Sequence, residues 1–87
     1  DHARPGGTPG AAEEIDARGL LCPLPVLKLR KRLERLAPGA VVAIAADDPA
    51  ARVDVPHFCA EQGHALLAEE EAGDGSGTLR FLVRKGG

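Results

Sequence analysis

The sequence has no tryptophan, tyrosine or methionine, and only two phenylalanines, Phe58 and Phe81, among its 87 residues. Its core must therefore be aliphatic, built from Leu, Val, Ile and Ala. It also lacks an excess of positive charge. Eleven Lys and Arg stand against thirteen Asp and Glu, a formal net charge of -2. Broad nucleic-acid binders are usually strongly basic, so strong direct nucleic-acid binding is not expected. No apolar run is long enough to span a bilayer, and no segment has the charged start and apolar centre of a signal peptide. The expectation is a cytoplasmic chain with no membrane association, in a compartment that keeps thiols reduced. Two cysteines permit at most one disulfide, and that compartment disfavours it, so Cys22 and Cys59 need separate explanations.

Residues 1–12 are rich in Gly, Pro and Ala and carry no periodic pattern. They read as a disordered tail, which leaves residues 13–87 as one domain. Ile15 and Ala17 alternate with Glu14 and Asp16, the period of a short strand ended by Gly19. After Leu20-Leu21-Cys22-Pro23-Leu24-Pro25 the period changes. Val26, Leu29, Leu33 and Leu36, with Ala37 beside them, form one helical stripe. Lys28, Lys31, Arg32 and Arg35 lie opposite, and Pro38-Gly39 ends the helix. The run from Ala40 to Ala46 is the mark of a strand at a sheet centre. Asp47-Asp48-Pro49 breaks it and caps a turn. A second helix is expected from Asp54 as N-cap, with Val55, Phe58 and Cys59 on its apolar face and Gly63 as its C-cap. His64 to Glu71 and Thr78 to Arg84 read as a closing hairpin around the Gly73–Gly77 turn. In the first of these strands Ala65 and Leu67 share a face. The order β-α-β-α-β-β predicts an α+β fold, a two-layer α/β sandwich with two helices on one face of a four-stranded mixed sheet.

The chemistry concentrates at Cys22. If Cys22 is the helix N-cap, Pro23 and Pro25 occupy the first turn, where their missing N–H groups cost nothing and their fixed φ stiffens the helix start. The remaining amide of Leu24 can then face the sulfur, and the helix dipole adds positive charge. Such a thiol is expected to have a lowered pKa and to act as nucleophile and sulfur acceptor. Leu24 and Leu27 fall off the core stripe toward Lys31 and Arg35, which suggests a docking patch for a partner. Arg30 lies at the margin of the core stripe. Cys59 reads as a small buried hydrophobe, and His57 and His64 as surface groups. Without a Cys-x-x-Cys pair the ligand spacing of a structural zinc site is absent, so no metal is expected.

The block Asp16-Ala17-Arg18-Gly19-Leu20-Leu21-Cys22-Pro23-Leu24-Pro25 resembles the Cys-Pro-x-Pro signature of the TusA (SirA-like) sulfur carriers. Ala46-Asp47-Asp48-Pro49-Ala50, Asp54-Val55-Pro56-His57-Phe58-Cys59, His64-Ala65-Leu66-Leu67 and Phe81-Leu82-Val83-Arg84-Lys85-Gly86-Gly87 continue the resemblance in family order. It implies a fold similar to the C-terminal domain of a bacterial translation initiation factor. It implies that Cys22, supported by Gly19, Pro23 and Pro25, accepts a sulfane sulfur as a persulfide from a cysteine desulfurase. Cys22 would pass that sulfur to a downstream relay protein, with 2-thiouridine in tRNA as the usual end product. Relatives in other settings feed molybdenum-cofactor synthesis or sulfur oxidation. The implied carrier holds no cofactor and is monomeric, with Leu24, Leu27, Arg30, Lys31 and Asp48 as its partner-binding residues. The sequence departs from relatives of the tRNA-thiolation type at Leu24, where an acidic residue is common, and at Leu27 and Lys28, where methionines occur.

Three other readings compete. Gly86-Gly87 resembles the tail of ubiquitin-like carriers, which hold sulfur as a terminal thiocarboxylate, but their hairpin precedes the helix. An RNA- or protein-binding regulatory module of the same fold would need aromatic platforms if it read single-stranded RNA, and both phenylalanines look like core residues. A Cys22–Cys59 redox pair would need disulfide geometry between a helix start and a mid-helix core face.

Overall fold

A computed structural model describes residues 13–87. The expected tail, residues 1–12, lies outside the described residues. Six elements follow in the expected order: β1 (Glu13–Asp16), α1 (Leu24–Glu34), β2 (Val41–Ala46), α2 (Ala51–Gln62), β3 (Ala65–Glu71) and β4 (Leu79–Arg84). The strands form one mixed sheet in the order β1-β2-β4-β3. β1 runs parallel to β2, while β4 is antiparallel to both β2 and β3. The β1-α1-β2 segment is thus a crossover unit, and β3-β4 is the closing hairpin.

Alternation along the strands decides which face is covered. Ile15, Val42, Ile44, Ala46, Leu79, Phe81 and Val83 are buried, and they join Leu29 and Leu33 of α1 and Val55, Phe58 and Cys59 of α2 in one core. On the opposite face Glu14 pairs in register with Ala43, and Ala45 with Arg80. The Arg80 guanidinium reaches Glu14 at 2.9 Å. That ion pair joins β1 to β4 over the central strand β2, and only side chains as small as alanine leave room for it. Both β2 neighbours are supplied by other strands, which is why this run reads as uniformly apolar.

The boundaries correct the sequence reading at four places. Helix α1 stops at Glu34, not at Pro38, and Ala37 is exposed. Helix α2 begins at Ala51, so Asp54 lies in its first turn and is not the N-cap. Its start is wound tightly by the Ala51, Arg52 and Val53 N–H groups, which donate to the Asp48, Pro49 and Ala50 carbonyls. In β3 a bulge between Leu66 and Ala68 shifts the alternation. Leu66 packs on the core, and Leu67, expected beside Ala65, is exposed. His64 is not a plain surface group either. It is half-buried, its Nδ1 accepts the Gly86 N–H at 3.0 Å, and its ring lies 5.5 Å from that of Phe58. Gly63 does cap α2, with φ 77° and the left-handed conformation that glycine adopts without a Cβ clash.

Candidate functional site

The β1–α1 loop and the β2–α2 loop meet at one end of the sheet, and the second holds the first. Ala17 extends the β1 ladder through its N–H to the Ala45 carbonyl, at 2.7 Å. The chain then reverses at Gly19, whose φ of 82° suits glycine. The Gly19 N–H donates to Asp47 Oδ1 at 2.9 Å. Three residues on, the Cys22 N–H donates to Asp48 Oδ2 at 2.7 Å. Asp48 Oδ1 accepts the Ala50 N–H at 3.0 Å. Two adjacent aspartates therefore fix both ends of the Gly19–Cys22 segment, and these backbone donors hold the Asp48 carboxyl below its ordinary pKa. Asp48, expected to bind a partner, has both oxygens engaged within the protein.

The helix start differs from expectation in one residue that matters. Pro23 is the N-cap of α1, Leu24 and Pro25 are its first two residues, and Cys22 stands just outside. The Cys22–Pro23 peptide bond is cis. Pro25 is buried and has no N–H. The Leu24 N–H, expected to face the sulfur, donates to the Leu21 carbonyl at 2.8 Å. The turn that stiffens this loop thus removes the donors that would have stabilised a thiolate.

The acidity of Cys22 follows. Its thiol pKa is raised, against the expectation of a lowered one. The main cause is the Asp54 carboxylate, whose interaction favours the protonated thiol. Partial desolvation and the negative charges of Asp54 and Asp48 act in the same direction. Asp54 was legible in the sequence as a helix-start aspartate. Its approach to Cys22 was not, because it depends on where the two loops meet.

Cys22 is exposed and Cys59 is buried, and both are free thiols. Burial pushes the Cys59 thiol up, and its place in the core with Val55 and Phe58 excludes a disulfide with Cys22 without unfolding α2. Exposed apolar side chains lie close to Cys22 in the chain and on α2. Leu24 and Leu27 are 48% and 47% exposed, as their off-stripe positions required, and Leu21 and Val53 are 69% and 71% exposed. Neither Leu21 nor Val53 was singled out in the sequence. Val53 was within reach, since it falls off the stripe that Ala51, Val55 and Cys59 make on α2.

The basic face of α1 is only partly a surface feature. The Lys28 ammonium donates to the Asp16 carbonyl, and Arg32 meets Glu13 at 2.6 Å. Both tie the helix to β1. Arg30 pairs with Glu34 one turn on, at 3.4 Å. Lys31 and Arg35 are exposed and line a shallow groove with Lys28 and Arg32. Phe58 and Phe81 are in the core, so neither offers a base-stacking platform. Among the described residues no group of three or more His, Cys, Asp or Glu side chains is placed to hold a metal ion. No helix among them is long and apolar enough to cross a membrane.

Comparison with known proteins points the same way as the geometry. The family model described as sulfurtransferase TusA matches residues 13–85. A solved structure of a SirA-like protein from Desulfitobacterium hafniense superposes with a TM-score of 0.74 at 26% sequence identity. The superposition covers 86% of this chain and 99% of that one.

Proposed function

Because the chain belongs to the TusA sulfurtransferase family, matched from residue 13 to residue 85, we propose that it carries sulfur as a persulfide on Cys22. A cysteine desulfurase in the cytoplasm loads it, and a downstream relay protein unloads it. The end of this relay is 2-thiouridine in tRNA, as the resemblance of the residue 16–25 block implies. One observation carries the reading. Of the two thiols, Cys22 alone is exposed, at the tip of a loop fixed by Asp47 and Asp48. A carrier needs its sulfur atom presented on a rigid mount, because transfer between two proteins requires the reacting sulfurs to meet in line.

The chemistry is an exchange without net oxidation. The Cys22 thiolate attacks the outer sulfur of the donor's persulfide. The donor's S–S bond breaks, a new S–S bond forms on Cys22, and the donor cysteine leaves as a thiolate. The proton lost by Cys22 is returned to that thiolate through solvent. Unloading repeats the exchange with Cys22 as leaving group. Leu24 and Leu27 give the partner an apolar contact, and Lys31 a charged one. The carrier works as a monomer and holds no cofactor.

The test is mass spectrometry of the intact protein after incubation with a cysteine desulfurase, pyridoxal phosphate and cysteine. The wild type should gain the mass of one sulfur atom, reversibly with dithiothreitol. Cys22→Ser should gain none, and Cys59→Ser should behave as wild type. A persulfide that survives Cys22→Ser would overturn the assignment.

A further inference from the structure

A cleft of about 200 Å³ lies between the C-terminal halves of α1 and α2. Arg30, Leu33 and Glu34 of α1 and Phe58 of α2 line it, with His64 and Lys85 from the segments that follow α2 and β4. Both helices begin at the end of the sheet that carries Cys22, and a helix rises about 1.5 Å per residue, so the cleft at their far ends is separate from the sulfur site. Leu33 and Phe58 are buried and give it an apolar floor. The other side chains are held before any ligand arrives. The Lys85 main chain is fixed on both sides, its N–H donating to the Ala40 carbonyl and its carbonyl accepting the Gly39 N–H, each at 2.8 Å. The His64 N–H donates to the Cys59 carbonyl at 2.9 Å, and its Nδ1 accepts the Gly86 N–H at 3.0 Å.

These contacts leave donors to spare. A neutral imidazole that accepts at Nδ1 carries its proton at Nε2, and among the described residues that N–H meets no acceptor. Lys85 Nζ donates to the Leu36 carbonyl at 2.6 Å, which uses one of the three ammonium donors. Arg30 meets Glu34 at 3.4 Å with both side chains exposed, a weak pairing that a competing acceptor can replace. The carbonyls at the ends of the two helices are already covered, that of Leu36 by Lys85 and that of Cys59 by His64, which blunts the negative field of the helix C-termini. Donors over an apolar floor select the ligand. Arg30 and Lys85 repel a cation, the floor of Leu33 and Phe58 offers nothing to a bare inorganic anion, and the donors would be left unpaired beneath a purely apolar body.

We propose that this cleft is a binding site for a small organic monocarboxylate, whose compact apolar body packs on Leu33 and Phe58 and whose carboxylate takes the donors of Arg30, His64 and Lys85. The volume suits a ligand smaller than a drug-sized molecule. Bound there, it bridges α1 and α2, so it stabilises the folded chain in proportion to its concentration. The site does not depend on Cys22 being the working sulfur.

The test is an amide-resolved NMR titration of the full chain with benzoate, phenylacetate and hexanoate, beside acetate, which has the carboxylate without the body, and benzyl alcohol, which has the body without the carboxylate. At least one of the three larger acids should shift the amides of Leu33, Phe58, His64 and Lys85 saturably in the millimolar range and raise the thermal midpoint. Acetate and benzyl alcohol should bind several-fold more weakly. Arg30→Gln, at an exposed position, should weaken the best acid several-fold. So should His64→Asn, which can still accept the Gly86 N–H but has no ring and no Nε2. Circular dichroism checks that each variant is folded, and Cys22→Ser should bind as the wild type does. No saturation with any of the three acids would overturn the proposal. So would equal binding of acetate, unchanged binding in both folded variants, or binding lost in Cys22→Ser.

Discussion

Asp48 holds Cys22 by its backbone, not its sulfur: Oδ2 of the aspartate accepts the cysteine N–H at 2.7 Å across 26 residues of chain. The bond joins the loop after β1 to the loop after β2, and it leaves the thiol free to react. Replacing Asp48 by Ala removes the acceptor for both Cys22 and Ala50 while changing no core residue. Sulfur loading on Cys22 should slow roughly ten- to a hundredfold, the effect of a reacting atom displaced by about 1 Å. Asp48→Asn keeps one carbonyl acceptor and should recover part of the rate. Single-turnover persulfide transfer measures this, with the thermal midpoint as the control for folding.

Leu27 and Leu29 are two residues apart on α1 and face opposite ways. Leu29 is fully buried and Leu27 is 47% exposed. Leu29→Ala should destabilise the protein by about 2–5 kcal/mol, the cost of a core truncation and its cavity. In a domain this small that is a large share of the total. Leu27→Ala should change stability by no more than about 0.5 kcal/mol and should raise KM for the donor without altering the chemistry of Cys22. Urea denaturation and loading kinetics on the same two variants separate core from docking surface.

These two leucines also mark what could be read from the sequence. Periodicity separates Leu24 and Leu27 from Leu29 and Leu33 because burial of a helix repeats with the helix turn. The same argument finds Ile15, Phe81 and Val83 in their strands. It fails at Leu67, where the β3 bulge moves Leu66 onto the core, since a bulge changes the alternation without a mark in the apolar pattern. It fails also at the sulfur. The Cys-Pro-x-Pro spacing locates Cys22 at a helix start, but the charge around the sulfur comes from Asp54 and Asp48, 32 and 26 positions away by their residue numbers. A helix dipole is a local property and a loop-to-loop contact is not. The acidity of the thiol was therefore read with the wrong sign.

His64 makes stability depend on pH in a defined direction. Its pKa lies below the ordinary 6.5 because burial disfavours the charged ring, and the Lys85 charge acts in the same sense. A group whose folded pKa is depressed stabilises the protein above its unfolded pKa. That contribution is lost as pH falls below 6.5 and through the folded value. Protonation also removes the Nδ1 lone pair that accepts the Gly86 N–H. The fall in stability between about pH 7.5 and about pH 5 should accordingly be smaller in His64→Asn, whose amide oxygen can replace Nδ1 but cannot titrate in that range. Urea midpoints at the two pH values check it. An equal fall in both proteins would remove His64 from the account.

Gly86 sits where a side chain does not fit. A Cβ added there would lie 1.7 Å from the Gly63 carbonyl oxygen, a backbone atom, so the strand end must move and its N–H must leave His64. Gly86→Ala should destabilise by about 1–3 kcal/mol, as overpacking at a rigid site does. The glycine pair at this end of the sequence is thus explained by packing, at least at Gly86, without a terminal thiocarboxylate. The two explanations separate in one pair of variants. Gly86→Ala should lower the urea midpoint yet still take one sulfur on Cys22 under conditions where it is folded. Deletion of Gly87, which is exposed, should leave Cys22 loading intact. A sulfur-carrying activity that disappears with Gly87 while Cys22→Ser retains it would place the cargo at the C-terminal glycine and not at Cys22.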